Sequence, residues 1–494
     1  EKQYGSDLVE NGGLKVVTTL DYELQEKAEG FIKEHIEEVE DEFDASNAAL
    51  VAVEAQTGHI ITMVGSRDYF DKDIDGNFHV AIAERQPGSS FKPIAYANAF
   101  EKGYLPETAI FDVKTQFSGR CERDDLTSSD GCYSPSNYDG KFKGPMSFRN
   151  ALAQSRNIPA VKVAYLGGLN DTMSLAREMG INSLNEDSDF YGLGLVLGGG
   201  EVSLLELTGA YSVFANDGEL NSPTGIISVE DSEGNVLEKY QKDERRVISR
   251  DSARMISSIL SDNVARTPLF GSQSFLYFGG RDVAGKTGTT NDNRDAWLVG
   301  YTSDVAVGVW TGNNDNSPMK KGSSISGKPW RAFLDEVIDK YGADKFSEYE
   351  RPGNFSSLPP VIQGQWEGGG TSRIYIDSRT GEKANDLTPS RYRELASVFN
   401  PHTILHWIDK NNPLEANYGS RSSFSVQSIP ELEVPEERPL VELRIQGIEE
   451  GEEFSKNDTV RVSAAFDGID IDDIENVDFY INGIFIDSDD SQPF

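Results

Sequence analysis

The chain has 494 residues, 37% of them hydrophobic, and its 46 basic and 82 acidic side chains give a net charge of −36. At roughly 100–200 residues per domain, this length predicts about two to four domains, at least one with a sizeable core. The negative charge argues against nucleic acid or an anionic membrane surface as the main partner, because both would repel the chain. No stretch reaches the roughly 18 apolar residues needed to span a bilayer.

The first 44 residues are predicted to be a lead-in segment. Residues 14–20 have strand character, and Asp21 can cap a charged helix that runs to about residue 42. The chain opens at Glu1 without a methionine and without a basic segment that precedes an apolar one. We therefore expect a piece of a longer protein, with any membrane anchor or export signal upstream.

The segment 45–342 is predicted to be one α+β domain. The runs 48–55 and 59–64 flank the turn Gln56-Thr-Gly58 and predict a hairpin, while short runs rich in Val, aromatics and Gly predict three late strands at 283–290, 296–301 and 305–310. The middle, from about 90 to 260, has a mostly helical pattern. A last helix is predicted at Trp330 to Tyr341, with Pro329 at its start. Early and late strands with helices between them predict one antiparallel sheet that the two ends of the domain close.

The C-terminal part is predicted to contain a connector at 343–436 and a partial immunoglobulin-like β domain at 437–494. The connector is rich in Pro, Gly and Ser, whereas the last sixty residues hold 17 acidic and 4 basic side chains. Strands are expected at 441–445, 460–464 and 477–486, the last broken by Asn482-Gly483. Because an immunoglobulin-type sandwich needs about seven strands, the chain is expected to stop within this domain.

Cys121 and Cys132 lie eleven residues apart in a polar stretch and are the two cysteines of the chain. A disulfide between them would indicate an oxidising compartment, and two unpaired thiols are the alternative.

The most informative local pattern is Gln86-Pro-Gly-Ser89-Ser-Phe-Lys92-Pro. A helix can begin at Ser89, and residues three apart share a helix face, so the Ser89 and Lys92 side chains can meet. A serine hydroxyl is a weak nucleophile until a base takes its proton. Lysine can be that base if burial and the positive end of the helix dipole lower its pKa.

Two further motifs make this pattern specific. Ser155-Arg-Asn157 follows 66 residues after Ser89, and Lys286-Thr-Gly-Thr289 comes on a late strand. S-x-x-K, S-x-N and K-T-G in this order are the signature of serine penicillin-recognising enzymes. Ser155 can relay a proton between Lys92 and the leaving amine, and Asn157 can hold a substrate amide.

The third motif suits the binding of a substrate. The Lys286 charge and the hydroxyls of Thr287 and Thr289 suit a carboxylate, and Gly288 lets the substrate backbone lie against the strand edge. The backbone N–H groups of Ser89 and Thr289 would form an oxyanion hole.

The chain resembles the transpeptidase region of class A, bifunctional penicillin-binding proteins. Besides the three motifs, the likeness covers the segments that begin at Gly12, Tyr138, Gly198, Ala210 and Arg294, and so spans residues 8 to 341. The resemblance implies the penicillin-binding/serine β-lactamase-like transpeptidase fold, an antiparallel sheet flanked by helices. The glycosyltransferase domain and membrane helix that precede this region in the family are absent from this chain.

What the resemblance implies for function is D,D-transpeptidation. Ser89 attacks the D-Ala-D-Ala bond of a peptidoglycan stem peptide, D-Ala leaves, and the amine of a neighbouring strand resolves the acyl-enzyme. β-Lactams would acylate the same serine. The implied place is the extracytoplasmic face of the bacterial cell membrane, through an anchor upstream of this chain, with no cofactor, no metal and no nucleic acid. The C-terminal module would contact the cell wall or a protein.

Four local patterns allow other interpretations. Gly280 to Thr287 fits the phosphate-loop pattern, but the residues that follow do not promptly start the helix that such a loop must open. Asp71, Asp73 and Asp75 open like a calcium loop, although its twelfth position is Ile82 instead of Glu. His402 and His406 are spaced as in zinc sites but lack the catalytic Glu. The glycines at 192–200 resemble a dinucleotide-binding loop, but the third glycine is displaced by one residue from its position in that pattern.

Three classes of function remain. The first is the transpeptidase. The second is another acyl-enzyme hydrolase on the same fold, a D,D-carboxypeptidase or β-lactamase, which differs in whether water or an amine removes the acyl group. The third is a non-catalytic β-lactam sensor or wall-binding module. A Ser-His-Asp hydrolase is disfavoured, because the chain has no G-x-S-x-G elbow.

Overall fold

The computed structural model describes residues 3–364, apart from 119, 122–127, 129–130 and 323, and the strand segments 371–377, 393–399, 442–446, 463–467, 477–481 and 484–489. The described residues up to 364 belong to one compact unit, and the strands from Thr371 onward belong to a second. The domain boundaries predicted from the sequence stay predictions.

The α-helices in the described part of the chain are α1 Ser6–Asn11, α2 Tyr22–Phe43, α3 Lys92–Glu101, α4 Phe148–Ala153, α5 Asn157–Gly167, α6 Leu169–Glu178, α7 Ser188–Tyr191, α8 Leu204–Ala215, α9 Arg250–Leu260, α10 Asn263–Phe270 and α11 Gly327–Tyr341. Short 3₁₀ turns lie at Val80–Ile82, Gly88–Phe91, Gly192–Leu197, Asn291–Asn293 and Phe355–Ser357.

The strands of the first unit are β1 Lys15–Thr18, β2 Asn47–Glu54, β3 Ile60–Val64, β4 Ala109–Asp112, β5 Gly144–Ser147, β6 Glu219–Asn221, β7 Ile226–Glu230, β8 Val236–Lys239, β9 Glu244–Arg246, β10 Ala284–Thr289, β11 Asp295–Tyr301 and β12 Val305–Gly312. Those of the second unit are β13 Thr371–Asp377, β14 Arg393–Phe399, β15 Glu442–Gln446, β16 Ser463–Asp467, β17 Val477–Ile481 and β18 Ile484–Asp489.

The central sheet has the order β10-β11-β12-β2-β3, and every neighbouring pair is antiparallel. The predicted early hairpin and the three predicted late strands are its members, so the prediction of one sheet closed by both ends of the domain is confirmed. Strands from the two ends of this domain meet within the sheet, because β12 pairs with β2, for example Val309 with Leu50.

The two faces of this sheet are covered by different helices. Alternate residues such as Leu50, Val307 and Val309 are buried in one cluster with apolar residues of α2 and α11. On the other face, a Cβ added to Gly308 would collide with the Thr208 side chain of α8. Period-two alternation along the strands thus builds two apolar layers. The helix predicted after Asp21 is α2, which Asp21 caps at Leu24 N–H, and it packs on the sheet although it belongs to the predicted lead-in.

The middle of the first unit departs from the helical pattern in one respect. Besides α3 to α9 it contains β4 to β9, which the sequence did not predict. The strand β7 pairs with β1, and β4 pairs with β5. These strands are three to five residues long, so their period is too short to stand out from the helical surroundings.

The second unit consists, in its described residues, of the antiparallel pairs β13-β14, β15-β16 and β17-β18. Strands occur near the predicted C-terminal ones, and the immunoglobulin-like sandwich itself stays a prediction. His402 and His406 lie outside the described residues.

Cys121 and Cys132 form a disulfide, which decides between the two alternatives that the sequence left open. The bond lies in the connection between β4 and β5. Among the helices of the described residues, none combines the length and the apolar character needed to cross a bilayer.

Candidate active site

A cleft of about 800 Å³ brings the three motifs together, and Ser89, Ser155, Asn157, Thr287 and Thr289 are among its lining residues. One wall is β10, the edge strand of the central sheet. Another is the segment between β4 and β5, which contributes Ser128, Tyr133 and the residues Pro135 to Asp139.

Ser89 lies in the 3₁₀ turn Gly88–Phe91, and α3 begins at Lys92, three residues later than the helix start expected from the sequence. The turn is fixed from both sides. Ser90 Oγ donates to Pro87 O at 2.6 Å, and the Tyr211 hydroxyl of α8 donates to Ser90 O at 2.6 Å. Ser89 is half-buried at the cleft.

Glycines allow this turn to lie against the edge strand. A Cβ on Gly288 would collide with Pro87 O, and a Cβ on Gly198 would collide with the backbone of Gly88. Gly198 also has φ 91°, where a side chain is disfavoured. Gly198 of the cluster at 192–200 therefore packs against the turn that carries Ser89. The cluster follows helix α7 and not a strand, so the dinucleotide-loop interpretation is wrong.

Lys92 is fully buried, and among the described residues no carboxylate lies within hydrogen-bond reach of its amine. Its Nζ donates to Ser155 O and to Asn157 Oδ1, both at 2.7 Å. Burial, together with the charges of Lys286 and Arg156, lowers the pKa of Lys92 well below that of an ordinary lysine.

A neutral amine has two N–H groups and one lone pair. Two carbonyl-type oxygens, which only accept, take both N–H groups of Lys92. The lone pair is therefore left to accept a proton from a hydroxyl.

Ser155 is the centre of the site, between two amines. Its Oγ is 3.4 Å from Lys92 Nζ and accepts a hydrogen bond from Lys286 Nζ at 2.8 Å. The residue has φ 53°, a left-handed conformation that costs a non-glycine residue about 1–2 kcal/mol. Such strain persists only where the surroundings impose it.

Lys286 lies on β10 and is 3% exposed. Its Nζ also donates to Thr287 O at 2.9 Å. Burial lowers the pKa of Lys286 to about 7. Because Lys286 and Thr287 belong to a strand and not to the start of a helix, the phosphate-loop interpretation of 280–287 is wrong.

The register of β10 gives the direction of its backbone groups. Directly after β10, Thr290 N–H donates to the carbonyl oxygen of Asp295, the first residue of β11. Hydrogen-bonding direction alternates along an antiparallel strand, so Thr289 N–H points away from β11, towards the turn that carries Ser89. The close approach of Gly88 to the Thr289 backbone agrees with this direction.

The possible calcium ligands are not assembled. The Asp71 carboxylate accepts from Arg67 Nη2 at 2.8 Å and from Asp73 N–H at 2.9 Å. No group of three or more acidic, histidine or cysteine side chains among the described residues could hold a metal ion.

All the site residues predicted from the sequence thus lie at or directly behind one cleft, and their chemical roles stay predictions. Sequence reasoning missed the buried ion pair of Arg156 with Asp112 and the contacts of Asn137. The sequence did contain a signal for two of these three residues. Arg156 lies inside the S-x-N motif, and Asn137 precedes the segment from Tyr138 that carries part of the resemblance.

The fold is that of solved penicillin-binding proteins. PonA1 of Mycobacterium tuberculosis in complex with penicillin V superimposes with a TM-score of 0.60 at 24% identity, over 71% of this chain and 93% of that one. Penicillin-Binding Protein 1A of Haemophilus influenzae gives a TM-score of 0.58 at 19% identity, over 80% of this chain and 74% of that one. At these identities the likeness shows the fold.

Residues 48–335 match the penicillin binding protein transpeptidase domain family. Penicillin-binding protein 2D of Bacillus subtilis (strain 168) is 30% identical over 391 residues, which cover 77% of this chain and 51% of that protein. Penicillin-binding protein 1F of the same strain is 32% identical over 365 residues, 71% of this chain and 46% of that protein. The chain therefore belongs to the penicillin-binding protein transpeptidase family, and its relatives are class A members.

The resemblance inferred from the motifs is confirmed by these matches. The chain spans about half the length of the first of these curated relatives and less of others, such as 38% of Penicillin-binding protein 1A of Neisseria lactamica. Members of the family are serine acyltransferases or peptidases of cell-wall metabolism and act on the periplasmic or extracellular side of the membrane.

Proposed function

We propose that this chain is a peptidoglycan D,D-transpeptidase that cross-links stem peptides through an acyl-enzyme on Ser89, and that β-lactams acylate the same serine. The observation that carries the proposal is the environment of Lys92. A buried lysine with a lowered pKa, whose N–H groups are both engaged, is suited to take a proton.

In acylation, Ser89 Oγ attacks the carbonyl carbon of the penultimate D-Ala while its proton moves to the lone pair of Lys92. The oxyanion lies between the N–H groups of Ser89 and Thr289, as supported by the direction of the Thr289 N–H. When the tetrahedral intermediate collapses, the C–N bond breaks and the amine of D-Ala receives the proton. Ser155, which is near both lysines, relays it.

The terminal carboxylate of the donor peptide would bind Lys286 and the hydroxyls of Thr287 and Thr289. The chain's charge of −36 opposes an anionic substrate, but distant charges are screened beyond about 10 Å at 0.1 M salt. A bound carboxylate favours the charged form of Lys286, because an adjacent anion raises the pKa of an amine. Asn157 would hold a substrate amide.

In deacylation, an amine of a second stem peptide attacks the ester carbonyl and restores the Ser89 hydroxyl. Water in place of the amine would make the chain a D,D-carboxypeptidase or a β-lactamase. We place the reaction at the extracytoplasmic face of the cell membrane, where a wall substrate lies, and the disulfide agrees with an oxidising compartment.

The first test is covalent labelling by a fluorescent penicillin, followed by intact mass and peptide mapping. We expect one stable adduct on Ser89 and no adduct in Ser89→Ala. The matched control is Ser324→Ala, since Ser324 is an exposed serine that lines the same cleft. Labelling that persists in Ser89→Ala would refute the assignment of the nucleophile.

The second test separates the transferase from the hydrolases. A donor peptide that ends in D-Ala-D-Ala is incubated with the chain and a D-amino acid as acceptor, and the products are weighed by mass spectrometry. Aminolysis product in excess of hydrolysis supports the transpeptidase. Hydrolysis alone supports the carboxypeptidase, and rapid loss of the penicillin adduct with hydrolysed drug supports the β-lactamase.

A further inference from the structure

A carboxylate that the proposed reaction does not use lies behind the S-x-N motif. Asp112, at the end of β4, is fully buried. Its Oδ2 accepts from Arg156 Nε at 2.8 Å and from Lys143 N–H at 3.1 Å, and its Oδ1 accepts from Asn137 Nδ2 at 2.7 Å. Both oxygens are thus hydrogen-bonded, as a buried carboxylate requires.

One route of hydrogen bonds leads from Asp112 to the candidate base. Asn137 Oδ1 accepts from Asn157 N–H at 2.8 Å, and Asn157 Oδ1 accepts from Lys92 Nζ at 2.7 Å. Asn137 is oriented by this arrangement, because only its Nδ2 can donate to Asp112 and only its Oδ1 can accept from Asn157.

A second route runs through Arg156. This residue directly follows Ser155, whose left-handed backbone points its carbonyl oxygen at Lys92 Nζ, 2.7 Å away. The Arg156 guanidinium is held by Asp112 on the inner side and by Asp139 Oδ2 at 2.9 Å on the outer side. Anchoring Arg156 therefore helps to hold Ser155 in a conformation that it would otherwise leave.

The charge of Asp112 also bears on Lys92. Burial and the cations Lys286 and Arg156 lower the pKa of Lys92, while the carboxylate of Asp112 acts in the opposite direction. The other titratable or charged groups facing Asp112 or its partners are Lys143, Asp139, the buried Tyr96, and Lys162, whose Nζ donates to Phe111 O. Removing the Asp112 charge should lower the pKa of Lys92 further.

We propose that Asp112 is a positioning residue for acylation, which holds Ser155 and Asn157 against Lys92 through Arg156 and Asn137. The inference rests on the proposed function. Asp112 touches neither substrate nor reacting atoms, so its effect is on the rate of acylation and on its pH dependence.

The test is an exchange of the acid and the amide. In Asp112→Asn, the new NH2 group would face a donor in either orientation of the amide, because one oxygen of Asp112 accepts from Asn137 Nδ2 and the other accepts from Arg156 Nε and Lys143 N–H. In the double variant D112N/N137D, the amide at 112 can donate to the carboxylate at 137, which can still accept from Asn157 N–H. Of the bonds described, the double variant loses the one from Asn137 Nδ2 to Lys141 O.

The measurement is the acylation rate constant for a fluorescent penicillin between pH 5 and 9, with the labelled fraction at completion. We expect Asp112→Asn to slow acylation at least about tenfold, as a small misplacement of reacting groups does. The rising limb of the plot of its acylation rate against pH should move to lower pH. The double variant should regain most of the rate and the pH position of the wild-type limb. A purely structural role would lower the labelled fraction instead and leave the rate constant and the limb unchanged.

The control variant is Asp335→Asn. Arg331 Nε donates to Asp335 Oδ2 at 2.8 Å, the same atoms and distance as in the Arg156 pair, but this pair is half-exposed on helix α11. We expect it to acylate at the wild-type rate. Should Asp112→Asn fail to fold, Asn137→Ala cuts the first route alone and should also slow acylation.

Wild-type rates in the folded Asp112→Asn or Asn137→Ala variant, or no recovery in a folded double variant, would overturn the inference. Such a result would leave the proposed function intact if Ser89 is still labelled. Failure of the proposed function is a separate outcome, the absence of a Ser89 adduct in the wild-type chain.

Discussion

The central sheet buries different side chains at its face under α2 and α11 and at its edge strand β10. The face buries apolar residues such as Ile36, Val309 and Phe333, each fully inaccessible to solvent. The edge buries the amines of Lys92 and Lys286, whose partners are hydroxyl and carbonyl oxygens; no carboxylate in the described part of the chain lies within their hydrogen-bond reach.

This difference separates what stabilises the domain from what the proposed reaction needs. Burying apolar surface contributes about 25 cal/mol per Å² to stability, whereas burying an amine without an acidic partner costs stability unless it loses its proton. The lowered pKa values of both lysines result from that cost, because burial disfavours the charged form. Perturbed groups of this kind cluster at functional sites. Three substitutions test this difference.

The largest effect is expected in the apolar layer. Phe333→Ala should lower the free energy of unfolding by about 3–5 kcal/mol, because it leaves a cavity in a fully buried cluster. Denaturant unfolding measures this change. The acylation rate per folded molecule should stay at the wild-type value, and a loss of rate in fully folded protein would show that the layer and the cleft are not separate.

For Lys92→Met, which replaces the candidate base by an apolar chain of similar length, we expect a loss of acylation rate instead of a loss of stability. Acylation by penicillin should slow at least about a hundredfold, or about 2.7 kcal/mol in activation free energy, as for the loss of a general base. Stopped-flow labelling with matched unfolding curves provides the measurement. A near-normal rate would mean that another group takes the proton from Ser89.

The smallest effect concerns pH. The folded-state pKa of Lys286 is about 7 and the ordinary value is 10.5, so between these pH values the unfolded chain binds a proton that the folded chain does not. Stability then rises with pH through this window, by about 1.4 kcal/mol per unit for one group. In Lys286→Met this contribution is gone.

Denaturant unfolding of both proteins at pH 7, 8 and 9 tests this expectation. The free-energy curve of the wild type should rise more steeply than that of Lys286→Met by that amount. Parallel curves would contradict the neutral state of Lys286.

Local patterns predicted most of the sheet. Alternating apolar residues and the turn Gln56-Thr-Gly58 predicted β2 and β3, and Pro329 marked the first turn of α11. Such signals depend on residues close in sequence, so they are visible without a structure. The strands β4 to β9 were missed because each is three to five residues long and lies in a segment whose overall pattern is helical.

The residues of the candidate site also differ in how far the sequence predicted their proximity. Ser89 and Lys92 are three residues apart, and their spacing alone places them together. Ser155 is 63 residues from Lys92 and 131 from Lys286 along the chain, and only its motif and the family resemblance linked the three. Asp112 has no motif, and nothing in its neighbourhood in the sequence predicts a buried carboxylate.

The family, the motif residues and the main strands could be predicted from the sequence, because spacing, alternation and turn residues are local properties of a chain. The folded chain was needed to show which groups share one cleft, that Cys121 and Cys132 pair, and that the glycines at 88, 198 and 288 let three backbone segments meet. It also lowers the pKa of Lys92 and of Lys286, since a pKa depends on burial and on charges from distant parts of the chain.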